Sequence, residues 1–300
     1  MSKLTDCVYH KPVMVKEVLS FVTERKRNVV VDCTLGDGGH SWAILANSPD
    51  TFVFGIDVDD EAVTVADNRL GSMFRGRFKA TKWDYRELPR HLARFAVPRV
   101  GAILLDLGVS SRQLDQAHRG FSYWAEAPLD MRMNPAGART ARDILAESDE
   151  EEIETILREY GEERFARRIA RAIVERRAER EITTTIELVE VVKGAIPARA
   201  RHGTIHPARK TFQALRIAAN DELSRLAGAL RECFGLLESE GVLLVITYHS
   251  LEDRIAKRVF KEIQAGGLGT VRTRKVIRPS EGEVAGNPRS RSAKLRVIQS

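Results

Sequence analysis

The run Val29-Val30-Val31-Asp32-Cys33-Thr34-Leu35-Gly36-Asp37-Gly38-Gly39-His40 decides the fold. An apolar β-branched stretch enters a glycine-rich turn, and a helical pattern follows from Ser41 through Ile44 and Leu45. This is the strand–turn–helix entry of a nucleotide-binding α/β domain. Glycine lets the backbone turn tightly and approach a ligand closely. Asp32 and Asp37 flank the turn, where a carboxylate repels a pyrophosphate. The dinucleotide fingerprint fails as well, because Ser41 stands where its third glycine belongs. An acidic glycine turn suits a cationic ligand, and the sulfonium and ammonium charges of S-adenosylmethionine (SAM) meet that need. The alternative is an ordinary strand-to-helix turn with no ligand.

Outward from this turn, strands and helices alternate. Residues 52–57 read as a second strand, 61–70 as the helix after it, 78–81 as a short third strand and 102–106 as a fourth. The fourth is so apolar that both its faces must be covered. Alternation of this kind builds a parallel sheet with helices on both sides, and ligands sit at the carboxyl ends of its strands. Three carboxylates fall at such ends. Asp57 follows the glycine turn at the spacing of a ribose-hydroxyl acceptor. Asp84, between Trp83 and Tyr85, suits the edge of an adenine ring, and Asp106 closes the fourth strand. A single strand-end Asp is commonly a cap or turn former. Three after a glycine turn favour a nucleoside-containing ligand.

The alternation stops after Asp106. Residues 119–122 and 128–135 read as structured loop. Helices follow over 140–145, 149–160 (opened by a capping box at Ser148), 162–177 and 186–193. The α/β pattern returns with a helix over 211–237, an apolar strand over 242–247, and strands near 270–277 and 294–298. The expected organisation is therefore a sheet domain over 1–113 and 211–300, with an all-helical domain inserted over 114–210.

The chain has 300 residues, is 43% hydrophobic and carries a formal net charge of +6, a balance that leans toward a polyanionic partner. The charge is uneven. Between Val191 and Asn220 lie six Lys or Arg residues and no acid: Lys193, Arg199, Arg201, Arg209, Lys210 and Arg216, with His202 and His206 beside them. From Arg254 to Ser300 there are twelve Lys or Arg against three Glu. Such runs are usually solvated faces, but two one-sided stretches favour contact with a nucleic-acid backbone. The Arg-rich 162–180 stretch interleaves glutamates and reads as a solvated helix face. Cys7, Cys33 and Cys233 show neither metal-ligand nor disulfide spacing, which fits a reducing cytoplasm without a bound metal. Cys33 reads as a packing residue. No apolar run reaches membrane-spanning length, and the N-terminus lacks a signal-peptide core.

Long motifs in a fixed order give the chain a resemblance to a known family. They are His10-Lys11-Pro12-Val13, Asp32 to His40, Asp106-Leu107-Gly108-Val109-Ser110-Ser111, Gln113-Leu114-Asp115 and Arg119-Gly120-Phe121-Ser122. Further along stand the run from Pro128 to Met133, Tyr160-Gly161-Glu162-Glu163-Arg164, His206-Pro207-Ala208-Arg209 and Phe212-Gln213-Ala214-Leu215-Arg216-Ile217. The last are His249-Ser250-Leu251-Glu252-Asp253-Arg254 and Asn287 to Arg296. The chain resembles, nearly end to end, the RsmH (MraW) family, which uses SAM to methylate the N4 amine of a cytidine in the decoding region of 16S ribosomal RNA. Thr247-Tyr248, where that family more often has Ser-Phe, and Val58, where it more often has Arg, are mild departures.

The resemblance implies a class I SAM-dependent methyltransferase sheet, Rossmann-like, with the helical insertion already expected. It implies that Gly38, Gly39 and His40 line the methionine part of SAM, that Asp57 holds the ribose, and that Tyr85, Asp106 and Gln113 complete the cofactor site. Gln113 has no signal of its own beyond that likeness. The chemistry then needs an acceptor for an N–H of a delocalised amine, and Asp106 and His249 are the candidates. The basic residues Arg199, Arg201, Arg209 and Lys210 are expected to touch RNA, in the small subunit or its precursor. Three other readings are a DNA amino-methyltransferase, a binding protein without catalysis, and a dehydrogenase. The first lacks its Pro-Pro-aromatic loop, since Asp106-Leu107-Gly108-Val109 stands there, and the last is disfavoured by the acidic turn.

Overall fold

The computed structural model describes residues 11–201 and 206–300. Cys7, His10 and His202 lie outside the described residues. In chain order the first elements are α1 (Val15–Val22), β1 (Val29–Asp32), α2 (Gly39–Asn47), β2 (Phe52–Asp57), α3 (Asp60–Met73) and β3 (Phe78–Lys82). Then come α4 (Leu88–Ala93), β4 (Val100–Asp106), α5 (Ser111–Asp115), α6 (Ala141–Glu147), α7 (Glu150–Glu159) and α8 (Ala166–Glu179). The chain continues through α9 (Thr185–Ala195), α10 (Ala198–Arg201), α11 (Arg209–Asn220) and α12 (Leu226–Gly235). It ends with β5 (Leu237–Thr247), α13 (Ser250–Ala265), β6 (Thr270–Val271), α14 (Glu281–Gly286) and β7 (Lys294–Gln299).

The described strands form one seven-stranded sheet in the order β3-β2-β1-β4-β5-β7-β6. Strands β1 to β5 are parallel, and β7 runs antiparallel between β5 and β6. This is the class I methyltransferase sheet. Its order reverses between β1 and β4, the switch point at which open α/β sheets bind ligands. Side chains alternate between its two faces. Val31, Ile103, Leu105, Leu243 and Val245 pack with α4, α12 and α13 on one face. Val30, Ala102, Leu104, Val242 and Leu244 pack with α1, α2 and α3 on the other. Burial on both faces explains why these strands read as continuous apolar runs. Cys33 and Cys233 are buried in the first of these cores. Burial and the Cys233 neighbour push the Cys33 thiol well up, so it stays a neutral packing group.

The chain divides into two compact units, residues 1–108 with 223–300, and residues 109–222. Among its described residues the second is helix and loop apart from a bridge between Pro128 and Thr184. It is wider at both ends than the 114–210 read from the sequence. At its far end α11 buries Phe212, Ala214 and Leu215 among the residues of α7, α8 and α9. The single helix expected over 211–237 is broken at Asp221, whose φ of 48° turns the chain out of the helix. Glu162 has φ 47°, so the helix expected from it begins at Ala166 instead. Asp149 rather than Ser148 caps α7, accepting from Glu152 N. The expected strand over 270–277 shrinks to two residues and an isolated bridge at Ile277, and α14 was not expected.

The loops at 119–122 and 128–135 are tied to each other. Arg119, buried, donates to the carbonyls of Arg132 (3.0 Å) and Met133 (2.9 Å). Gly120 has φ 72°, and a Cβ there would lie 2.3 Å from Pro128 O, so only glycine fits. Asn220, at the end of α11, accepts from Met133 N at 2.6 Å and donates to Met131 O at 2.7 Å.

Candidate functional site

The site forms at the carboxyl ends of β1, β2, β4 and β5. Leaving β1, Asp32 is buried and accepts from Ser41 Oγ at 2.7 Å, which fixes the first turn of α2 to the strand end. Burial holds this carboxyl above the usual range, against the pull of His40 and the Ser41 hydroxyl. Gly36 and Gly38 adopt left-handed conformations, φ 49° and 77°. At Gly38 a Cβ would also meet Leu70 Cδ1 at 2.7 Å, so a side chain is excluded twice over. A Cβ on Gly39 would touch the Pro12 ring at 3.0 Å.

At the end of β2, the Asp57 carboxylate accepts from Gly36 N at 2.8 Å through Oδ2 and from Asp59 N at 3.0 Å through Oδ1. It therefore joins the second strand to the glycine turn. Burial pushes its pKa up to about 6, with the two N–H donors acting in opposition. A carboxylate offers about four acceptor positions, so each oxygen retains capacity for a hydroxyl.

At the end of β4, the Asp106 backbone N donates to Thr34 Oγ1 at 2.7 Å. Its side chain faces two groups. Tyr248, just beyond β5, donates its phenol to Oδ1 at 2.8 Å, and His40 Nε2 lies 3.5 Å from Oδ2. Burial pushes the Tyr248 phenol well up, and the adjacent Asp106 charge adds to this, so it remains a donor. Burial lowers the His40 pKa, but the Asp106 and Asp32 carboxylates outweigh it and the net shift is upward. His40 Nδ1 is buried with no hydrogen-bond partner among the described residues. Three strand-end carboxylates and an unsatisfied buried imidazole nitrogen around a glycine turn fit a polar, cationic ligand.

The structure thus brings Gly38, Gly39, His40, Asp57 and Asp106 together in the sheet unit. Tyr85 follows β3 in a short 3₁₀ turn and packs, partly buried, beside Trp83 on the core that holds α4. Asp84 caps that turn and is gripped by Arg86 at 2.6 Å, so its carboxylate is engaged locally. His249 is the N-cap of α13: its ring accepts from Glu252 N at 3.5 Å through Nδ1, while Nε2 lies 3.1 Å from Glu252 Oε1. An accepting Nδ1 assigns the proton to Nε2.

Gln113, Arg199, Arg201, Arg209 and Lys210 stand in the helical unit. Gln113 closes a capping box on α5, its Oε1 accepting from Ser110 N at 3.0 Å and its own N donating to Ser110 Oγ at 3.2 Å. Ser110-Ser111-Arg112-Gln113 carries that signature in the sequence. Arg199, Arg201, Arg209 and Lys210 are all exposed. Arg201 donates to Ile196 O and Gly194 O, and Lys210 to Glu162 O. The second basic stretch is different, because several of its members are paired internally. Arg272 meets Glu24, and Lys294 and Arg296 meet Asp253. Sequence reasoning noted Tyr248 only as a departure and missed its contact with Asp106.

A model of the MraW methylase family matches residues 7–300. The ribosomal RNA small subunit methyltransferase H of Persephonella marina is 45% identical over 292 residues, which cover 97% of this chain and 99% of that protein. Its counterpart from Geobacter sulfurreducens is 47% identical over 306 residues, covering 97% of this chain and 98% of that one.

Proposed function

This chain belongs to the MraW methylase family of SAM-dependent small-subunit ribosomal RNA methyltransferases, and we propose that it methylates the N4 amine of a cytidine in the decoding region of 16S ribosomal RNA. The observation that carries the choice of target is the Asp106 carboxylate, held at the end of β4 between the Tyr248 phenol and the His40 ring. An exocyclic amine presents an N–H to such an acceptor.

SAM, when bound, supplies a methyl already activated for direct displacement. The residues placed to hold it are those of the glycine turn. Asp57 accepts the ribose hydroxyls, Gly38 and Gly39 bring the backbone close, and His40 and Tyr85 stand in the same unit; Gln113 is assigned to the cofactor on the family likeness alone. The cytosine must leave its stack to be reached. Its amine is a weak nucleophile because the lone pair is delocalised into the ring. Asp106, accepting one N–H, draws the nitrogen toward a tetrahedral geometry and takes its proton as the new bond forms. Tyr248 and His40 hold the carboxylate in line for this. His249, the N-cap of α13, is assigned as a positioning group for the start of that helix, and Asp106 as the base.

We assign RNA contact to Arg199, Arg201, Arg209 and Lys210, and we place the reaction in the cytoplasm on a small subunit or its precursor. Among the described residues no helix is long and apolar enough to cross a membrane. The test is transfer of labelled methyl from SAM to purified subunit particles, followed by nucleoside chromatography. Label on N4-methylcytidine is expected, with short naked oligonucleotides poor substrates. Label on carbon-5 of cytosine, on adenine or on protein, or equal activity on DNA, would overturn the assignment.

A further inference from the structure

Within the helical unit, one aromatic cluster has no part in the chemistry above. Tyr123 and His206 stack with centroids 4.5 Å apart and planes 11° from parallel. Phe212, from the buried side of α11, meets Tyr123 edge-on at 5.5 Å and anchors the stack on the core. Trp124 leans on His206 at 4.9 Å and on Tyr123 at 5.4 Å. It is 75% exposed, whereas Trp42 and Trp83 are both partly buried. Trp124 N donates to Ser122 Oγ at 3.2 Å, and His206 Nδ1 accepts from Ala208 N at 3.3 Å, so both members are held from the backbone.

A fixed, exposed indole is costly in water and is an unusual thing to hold in place. Its surroundings say what covers it. Partial burial lowers the His206 pKa, and the positive charge of Lys193 adds to this, so the ring stays neutral near pH 7. Arg199 and Arg201 lie on α10, and Arg209 opens α11 three residues after His206. Among the described residues, Lys193, Arg199 and Arg209 meet no acid. The loop that carries Trp124 holds two acids, Glu126 and Asp130, and Asp130 is engaged by Arg132 at 2.8 Å. Flat aromatic faces beside unpaired cations are the combination that holds single-stranded nucleic acid, bases on the rings and phosphates on the charges.

We propose that Trp124, backed by the Tyr123–His206 stack, is a platform for one unpaired base of the ribosomal RNA substrate, with the adjoining phosphates held by Lys193, Arg199 and Arg209. This rests on the reading of the chain as an RNA methyltransferase, and it adds a contact separate from the reacting cytidine. The platform recognises an unstacked base by its π-face, so it selects looped or single-stranded RNA over duplex without strong base preference.

The experiment measures affinity for purified small-subunit RNA and for subunit particles, with Trp124→Ala, Trp124→Phe and His206→Ala compared with the unaltered protein. Trp124→Ala is expected to weaken RNA affinity about 5- to 150-fold, the range for losing one stacked base. Trp124→Phe should recover most of that loss, and SAM affinity should be unchanged in all three. Tryptophan fluorescence should be quenched on adding RNA to the unaltered protein and far less in Trp124→Phe. Unchanged RNA affinity in a folded Trp124→Ala protein, or quenching by RNA-free subunit proteins in place of RNA, would overturn the proposal. Failure of the methyltransferase reading is separately visible. The unaltered protein would then place no methyl on N4 of cytidine, whatever the platform binds.

Discussion

The turn after β1 and the segment from α9 to α11 hold charged groups in opposite states. Around the turn, Asp32 is buried and Asp57 partly so, and backbone N–H groups hold both in place. Their desolvation raises both carboxyls above the usual range. Along α9 to α11 the cations are exposed, and Lys193, Arg199 and Arg209 meet no acid among the described residues. Buried charge with fixed partners is expensive and directional, so it suits one small ligand in one pose. Exposed charge without partners costs little and acts at a distance, so it suits a long polyanion and is screened by salt. The Arg-rich helices between them form a control. Arg158 pairs with Glu154, Arg171 with Glu175 and Arg142 with Glu181. There each of these three arginines is met by its own glutamate.

The contrast breaks most easily at Asp106. Asp106→Asn should lower the rate of methyl transfer by about 100-fold or more, the usual scale for losing a positioned proton acceptor. SAM affinity should move far less. Equal losses in both, measured by single-turnover transfer and by calorimetry, would make Asp106 a cofactor ligand only.

Next comes Asp57. Asp57→Ala should weaken SAM binding by about 1.5–3 kcal/mol, the range for hydrogen bonds to a charged group. The unaltered protein offers a second reading without any mutation. Its Asp57 carboxyl is raised to about 6, and only the ionised form accepts both hydroxyls. SAM affinity should therefore hold steady above that pH and fall as pH drops through it, approaching tenfold per unit. The same shift works against the empty protein. The folded state binds this proton more tightly than the unfolded chain, so the stability it lends at low pH is lost as pH rises from about 4 to 6. A SAM affinity flat between pH 5 and 7.5 would remove Asp57 from the site.

On the other side of the contrast, neutralising Arg199, Arg201 and Arg209 together should flatten the salt dependence of RNA binding. The slope of log affinity against log salt should fall by about 2–3 units if each holds one phosphate. SAM affinity should not change. An unaltered slope in filter-binding titrations would reduce the cluster to a solvated face.

Most of the sheet unit was legible in the sequence because its signals are local. β-branched runs, a glycine turn and strand-end aspartates are fixed by backbone geometry within a few residues. Asp57 could be put at a strand end by its spacing from the glycine turn, and Asp106 by the apolar run it closes. Contacts across the chain were not legible in the same way. Tyr248 reaches Asp106 from 142 positions away, and Trp124 meets His206 only because α11 is packed on the core through Phe212. The boundary of the helical unit failed for a related reason. Residues 211–237 have a continuous helical pattern, and only the left-handed turn at Asp221 reveals that α11 and α12 serve different cores. The α5 capping box was legible but was passed over, since the run of serines before Gln113 reads equally as loop.

The finest test concerns how firmly the buried side of the contrast is built. Tyr248→Phe removes one hydroxyl and keeps the ring packed on the sheet. A hydrogen bond to a charged group contributes about 1.5–3 kcal/mol when nothing replaces it. The Asp106 side chain is 22% exposed, so water can take the place of the phenol and most of that energy is recovered. What water cannot supply is a fixed direction. The expected result is a fall of about 2- to 10-fold in the transfer rate, with SAM affinity and thermal midpoint nearly unchanged. A purely structural Tyr248 would instead lower the midpoint and leave the rate per folded molecule intact. If Tyr248→Phe matches the unaltered protein in both, the carboxylate is oriented without the phenol, which only fills space beside it.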